Sequence, residues 1–217
     1  MTQSNGNTII IGITGNSGSG KTTVATMLSE KGGHKIDADI TAHRIMEPGG
    51  RAYKKIVAAF GPEILDPGGG IDRGKLGQAV FSDETKRTQL ENIVHPLVEE
   101  EILAEIETKS KAEAEAGIQA EVHEKSGVPF FIIDAVLLVE SGLHRHCDEV
   151  WLIKAEEEER MARIIARDDL DSERAAARMR NQRDTTHIAA IAQAVIDNNG
   201  DLERLREQVE VAVGDKT

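Results

Sequence analysis

The apolar and polar positions of the chain fall into short unbroken apolar runs and longer stretches in which apolar residues recur every three or four positions. Residues 8 to 14, Thr-Ile-Ile-Ile-Gly-Ile-Thr, form the first run and read as a buried strand. Val24, Met27 and Leu28 follow at helical spacing, and that pattern closes near Lys31, before Gly32-Gly33. Residues 34 to 39, His-Lys-Ile-Asp-Ala-Asp, read as a second strand, whose period of two puts the Asp37 and Asp39 carboxylates on one face. From Ile40 to Asp83, short helical patterns are broken at 47–50, 61–62 and 66–70 by proline and glycine. Leu90, Ile93, Val94, Leu97, Val98, Ile102 and Ile106 mark an amphipathic helix, in which Pro96 predicts a kink or restart near His95. Residues 107 to 127 are rich in Ala, Glu and Lys with few apolar anchors, and read as an exposed helical extension or loop. Phe130 to Asp134, Glu149 to Ile153 and Ala194 to Ile196 complete the strands, and Asp201 to Val213 closes the chain as a helix.

Strands alternating with helical segments predict a three-layer α/β fold around a five-stranded parallel sheet. With 217 residues, 39% of them hydrophobic, the chain can bury one substantial core and reads as one domain with subdomains.

The first strand runs into Gly15-Asn16-Ser17-Gly18-Ser19-Gly20-Lys21-Thr22, followed by Thr23. A glycine-rich turn between a strand and a helix lets backbone N–H groups curl around an anion, and the helix N-terminus adds its partial positive charge. At the spacing G-x-x-x-x-G-K-[ST], Lys21 would reach the β- and γ-phosphates of ATP and the Thr22 hydroxyl would ligate Mg²⁺. A glycine turn matching this spacing by accident has a probability on the order of 0.01 for a chain of this length, and the flanking pattern lowers it further. Asp134, at the end of an apolar strand, stands where phosphate-loop proteins hold an acid that orients Mg²⁺.

Charge changes the picture in two ways. The balance of 38 acidic against 26 basic residues, a formal −12, argues against a generic nucleic-acid binder. Seven arginines (160, 163, 167, 174, 178, 180 and 183) nevertheless fall together against four acids, which points to a second anion-binding surface; a solvated helix face is the alternative. The single cysteine, Cys147, excludes an internal disulfide and fits the cytoplasm. No apolar stretch is long enough to span a membrane, and no pattern specifies an oligomer.

Taken together the motifs resemble the dephospho-CoA kinase family. They are the phosphate loop, Ile36-Asp37-Ala38-Asp39, Glu47-Pro48-Gly49, Phe60-Gly61-Pro62-Glu63-Ile64-Leu65, Val94-His95-Pro96-Leu97, Asp134 with Leu137-Leu138 and Glu140, Arg167-Asp168, Arg178 with Gln182, and Val195-Ile196-Asp197-Asn198. The resemblance implies transfer of the γ-phosphoryl group of ATP to the ribose 3′-hydroxyl of dephospho-CoA, the last step of coenzyme A synthesis. It implies a nucleotide core (residues 8–39, 128–159 and 190–217), a helical substrate region (40–127) and a lid (160–189). Asp39 takes the place of the base and Arg178 that of a lid arginine, while Asp37, His43, Arg44, His95 and Asp134 fall on the substrate side. Helical spacing puts Arg174, Arg178 and Gln182 on one face, as a lid requires. His43 stands where the family often has Arg, a substrate-side cation that neighbouring Arg44 could supply instead, while Val136, Val139 and Ala194 depart from the pattern in ways that imply altered packing near the acceptor. Another small-molecule kinase, or a regulatory nucleotide-binding protein, is the alternative; no Asn-Lys-x-Asp guanine signature occurs to support the second.

Overall fold

A computed structural model describes residues 8–81, 83–116, 130–180 and 184–214. The chain divides into two compact units, one made of the residues up to Ile36 and from Glu113 onward, the other of Asp37–Ala112.

The first unit is built on five strands, β1 (Ile9–Thr14), β2 (His34–Asp37), β3 (Phe130–Asp134), β4 (Glu149–Lys154) and β5 (Ala194–Asp197), in the order β2-β3-β1-β4-β5. Central β1 pairs in parallel with β3 on one side and β4 on the other, and β4 pairs in parallel with β5. This burial on both faces explains the unbroken apolar runs. Ile11 and Ile13, Phe130 and Ile132, and Trp151 and Ile153 alternate along their strands and point to one side. There they pack with Val24 and Leu28 of α1 (Lys21–Glu30) and with Leu205 and Val209 of α9 (Leu202–Gly214). Phe131, Ile133 and Leu152 point to the other side and are equally buried, as are Leu138 and Leu143. Helices α6 (Glu157–Asp168) and α7 (Ser172–Arg180) form a small separate core around Ile164, Ala175 and Met179, and α8 (Thr186–Ala189) leads back to β5.

The second unit is helical. It holds α2 (Ala38–Met46), α3 (Tyr53–Phe60), a 3₁₀ turn (Pro62–Ile64), α4 (Arg73–Phe81) and most of α5 (Glu84–Ala116). The loop between the 3₁₀ turn and α4 is pinned from several directions. The Asp66 carboxylate accepts from the Gly68 and Gly70 N–H groups, the Tyr53 hydroxyl donates to the Gly69 carbonyl at 2.5 Å, and Lys75 Nζ donates to the Leu65 carbonyl at 2.6 Å.

Two expectations are corrected. The second strand ends at Asp37 rather than Asp39, because the Asp37 carboxylate accepts from the N–H groups of Asp39 and Ile40, both at 3.0 Å, and so caps a helix that begins at Ala38. Asp37 and Asp39 therefore do not share a strand face; one is the cap and the other lies in the first helical turn. Helix α5 also runs through Pro96 without restarting. Proline removes one backbone donor there, while buried Val94, Leu97, Val98, Ile102 and Ile106 hold the turns on both sides. The same helix carries residues 107–116, and the His34 ring bonds the Glu113 carboxylate, so this part of the extension is anchored; residues 117–127 lie outside the described residues.

Candidate active site

The phosphate loop leaves β1 at the centre of the sheet, where strand order reverses, the position at which parallel α/β sheets open a crevice beyond their carboxyl ends. It is held in shape from both sides. Gly18 has φ +80°, and a Cβ there would lie 2.6 Å from the Arg160 carbonyl oxygen of α6. Gly20 has φ +96° and caps α1, and a Cβ there would lie 2.0 Å from Asn198 Nδ2. Only glycine meets both the left-handed backbone and this contact. The buried Asn198 amide is close because it donates to the Ser19 carbonyl at 2.8 Å. Lys21 Nζ reaches back across the loop to the Gly15 carbonyl at 2.8 Å, which places its ammonium at the loop rather than in the core. Thr22 is exposed at the start of α1, and Ser19 is buried with a hydroxyl that has no partner among the described residues.

Arg163 braces the loop in a way the sequence reading missed. From α6 its guanidinium donates to the Gly18 carbonyl at 3.4 Å and to the Asn198 carbonyl at 2.9 Å, and Glu159 lies 3.4 Å away. One side chain thus joins the phosphate loop to the turn after β5. Its signal in the sequence was only membership of the arginine cluster, since its partners lie 145 and 35 residues distant.

On the other flank, Asp134 ends β3 in register with Ile13, the residue two before the loop. Its carboxylate is 7% exposed and lies 3.3 Å from Lys35 Nζ of β2. Lys35 was not singled out from the sequence, because a lysine on a short polar strand carries no pattern of its own. A buried carboxylate beside a phosphate loop with an exposed threonine suits Mg²⁺, which is held by one or two protein oxygens together with substrate phosphates. Among the described residues, no group of three or more His, Cys, Asp or Glu side chains forms a metal cage.

Beside the loop, at the ends of β4 and β5, a cavity of about 370 Å³ is lined by Asn16, Ala155, Arg160, Thr185, Val195 and Asn199, among others. The Nε atom of Arg160, one of the residues that line it, is buried without a hydrogen-bond partner among the described residues. Of the arginines expected in the lid, Arg167 and Arg178 both pair with Asp168, Arg178 at 2.6 Å, while Arg174 pairs with Asp171 at 3.5 Å. The hydrogen bond from Arg167, with further attraction from Arg178, holds the Asp168 carboxyl below its usual range. Gln182 and Arg183 lie outside the described residues.

In the helical unit, Asp39 and His43 are exposed one turn apart on α2. Arg44 pairs with Glu101 at 3.3 Å, and Arg51 with Glu100 and Glu101. His95 is half-buried on α5 between buried Val94 and Leu97.

A phosphate loop opening a five-stranded parallel α/β sheet, with an acid at the end of the neighbouring strand and arginine-bearing helices beyond, defines the class of phosphate-loop kinases that phosphorylate small molecules. The chain belongs to the dephospho-CoA kinase family, whose family model matches residues 9–204. It is 41% identical over 203 residues to a dephospho-CoA kinase of Symbiobacterium thermophilum, covering 94% of this chain and 79% of that one. Among solved structures it is similar to TT1252 from Thermus thermophilus (TM-score 0.76, 32% identity, 97% of this chain and 99% of that one). It is also similar to dephospho-CoA kinase from Campylobacter jejuni (TM-score 0.64, 26% identity, 96% and 99%).

Proposed function

We propose that the chain transfers the γ-phosphoryl group of ATP to the ribose 3′-hydroxyl of dephospho-CoA, giving coenzyme A. The observation that carries this reading is a complete phosphate loop, braced by Asn198 and Arg163, in a chain that matches the dephospho-CoA kinase family along nearly its whole length. Phosphoryl transfer asks a protein chiefly to align donor and acceptor and to neutralise the charge on the transferring group. The amides from Gly15 to Thr23 hold the nucleotide phosphates, and Lys21 turns from the Gly15 carbonyl to the γ-phosphate. Thr22 and Asp134 are the residues that would hold Mg²⁺, which when bound neutralises phosphate charge. Lys35 keeps the Asp134 carboxylate compensated when no cation is near. The cavity beside Arg160 takes the adenine, since the loop residues Asn16 and Ser19 contribute to its lining.

Asp39 accepts the proton of the 3′-hydroxyl, and Asp37, by capping α2, fixes the turn from which Asp39 projects. The helical unit, with His43, Arg44 and His95, receives the acceptor. Helices α6 and α7 act as the lid, where Arg178 exchanges its exposed partner Asp168 for phosphate oxygens. The cytoplasm, which supplies ATP and keeps Cys147 reduced, is the compartment this reading requires.

Incubation with ATP, Mg²⁺ and dephospho-CoA, followed by mass detection of the 3′-phosphorylated product, tests the activity. Asp39→Asn should retain ATP affinity while transfer falls by roughly 10² to 10⁴, the worth of a positioned general base. A full transfer rate in that variant would remove Asp39 from the mechanism.

A further inference from the structure

Strand β2 brings a cation, Lys35, to the acid beside the phosphate loop, and the packing of the strand fixes its direction. The period of two divides the strand residues between its faces. His34 lays its ring on Phe131, centroids 5.3 Å apart, and bonds the Glu113 carboxylate, while Ile36 on the same face is 3% exposed. Gly33, just before the strand, and Lys35 take the opposite face. A Cβ at Gly33 would run into the Phe130 ring and lie 2.6 Å from Ile132 Cδ1, so the chain passes closely over the face of β3 formed by Phe130, Ile132 and Asp134. Two residues on, Lys35 meets the last of these, with its Nζ 3.3 Å from Asp134 Oδ2. The backbone of Lys35 is thus held, but its ammonium rides on a long flexible stem and the side chain is 26% exposed, against 7% for Asp134. The carboxylate is fixed and the cation is free to swing away.

A carboxylate this deeply buried requires a counter-charge. Two cations can supply it: the Lys35 ammonium, tethered and always at hand, and the Mg²⁺ that Thr22 and Asp134 would hold. Both cannot sit on the same oxygens, since like charges drawn to one carboxylate of low exposure repel each other strongly. A competitor that is part of the protein lowers the apparent affinity for the second ligand in proportion to the fraction of sites it leaves open.

We propose that Lys35 is a built-in competitor of the metal. It neutralises Asp134 in the nucleotide-free protein, gives way as Mg²⁺ arrives with ATP, and so sets how strongly nucleotide binding depends on Mg²⁺. The inference rests on the function proposed above. Asp134 stays compensated in both states, and the returning ammonium favours departure of Mg²⁺ together with ADP.

Calorimetric Kd values for β,γ-imido-ATP, measured in EDTA and again in saturating Mg²⁺, test this without turnover, since their ratio reports how far the cation assists the nucleotide. Asp134→Asn should lower the ratio. Lys35→Met, which keeps an apolar stem of similar length, should raise it about tenfold, the scale of one charge-assisted hydrogen bond removed from the competing state. Lys35→Arg, still a cation, should stay within about threefold of wild type. In the Asp134→Asn background, Lys35→Met should change the ratio by less than about twofold, because nothing is left to compete for. An unchanged ratio in Lys35→Met, a rise of the same size in Lys35→Arg, or an equal rise with and without Asp134 would overturn the competition while leaving the kinase reading standing. An unchanged ratio in Asp134→Asn would take the metal off that carboxylate and overturn the metal assignment and the competition together. Failure of the wild-type protein to bind the analogue in Mg²⁺ would overturn the function itself.

Discussion

Replacing Arg163 by Met keeps most of the side chain's apolar stem and removes the guanidinium that joins the Gly18 and Asn198 carbonyls. Hydrogen bonds from a charged donor are each worth about 1.5–3 kcal/mol when well buried. Here the discount is large, since the side chain is 32% exposed and the Gly18 contact, at 3.4 Å, is at the long end of the range. About 1–2 kcal/mol remains for the pair. In a chain of this size that corresponds to a fall in Tm of about 2–8 °C. If the same energy holds the loop in its anion-binding shape, kcat/KM for ATP should fall by roughly 5- to 30-fold, at 1.4 kcal/mol per factor of ten. KM for dephospho-CoA should not move, because the carbonyls that Arg163 holds are those of the phosphate loop and of the turn after β5. Arg163→Lys should recover little, since a single ammonium cannot reproduce a fork that reaches two carbonyls. Thermal unfolding and ATP titration on both variants distinguish the cases. A lower Tm with unchanged ATP kinetics would make Arg163 a stabilising residue only, and no change in either would refute the brace.

Three further outcomes are expected. Lys21→Ala should abolish turnover with Tm nearly unchanged, because its ammonium contacts the loop and not the core; activity within threefold of wild type would sink the phosphate-loop assignment. Gly12→Ala should destabilise by about 1–3 kcal/mol, read as a lower Tm, because its Cβ would meet Cys147 Sγ at 2.6 Å and Leu138 Cδ2 at 2.7 Å in a packed interior; an unchanged Tm would show that the neighbours give way freely. Burial pushes the Cys147 thiol up to about 12. The neutral thiol is thus favoured in the folded state, a contribution complete below the ordinary thiol range near pH 9 and lost as pH rises toward 12. Alkylation at pH 8 should therefore be much slower than that of a free thiol, and labelling as fast as that of a small thiol would contradict the raised pKa.

The parts of the site that were legible in the sequence are those whose geometry is local. The phosphate loop is one turn between a strand and a helix, so spacing alone specifies it, and Asp134 could be read from the end of an apolar run. Asp37 and Asp39 were placed on a strand because period two fits Lys-Ile-Asp-Ala-Asp as well as a helix start does. The competing signal, an aspartate immediately before a helical pattern, was present and decides the structure through two hydrogen bonds. Pro96 misled for the opposite reason: local propensity argued for a break, and packing of apolar residues on both sides outweighed it. Arg163 and Lys35 carry no periodic signature at all. Each is defined by partners from distant segments, which only the folded chain assembles.

Asn198 gives the order of synthesis a meaning for the phosphate loop. The loop ends at Thr22, yet the amide that holds the Ser19 carbonyl and the carbonyl that anchors Arg163 both belong to Asn198, 179 positions after Ser19. A nascent chain that has emerged only through β4 carries the whole loop sequence without the wall that shapes it. The shape of the anion-binding turn therefore depends on β5 reaching the sheet edge as well as on the turn's own residues.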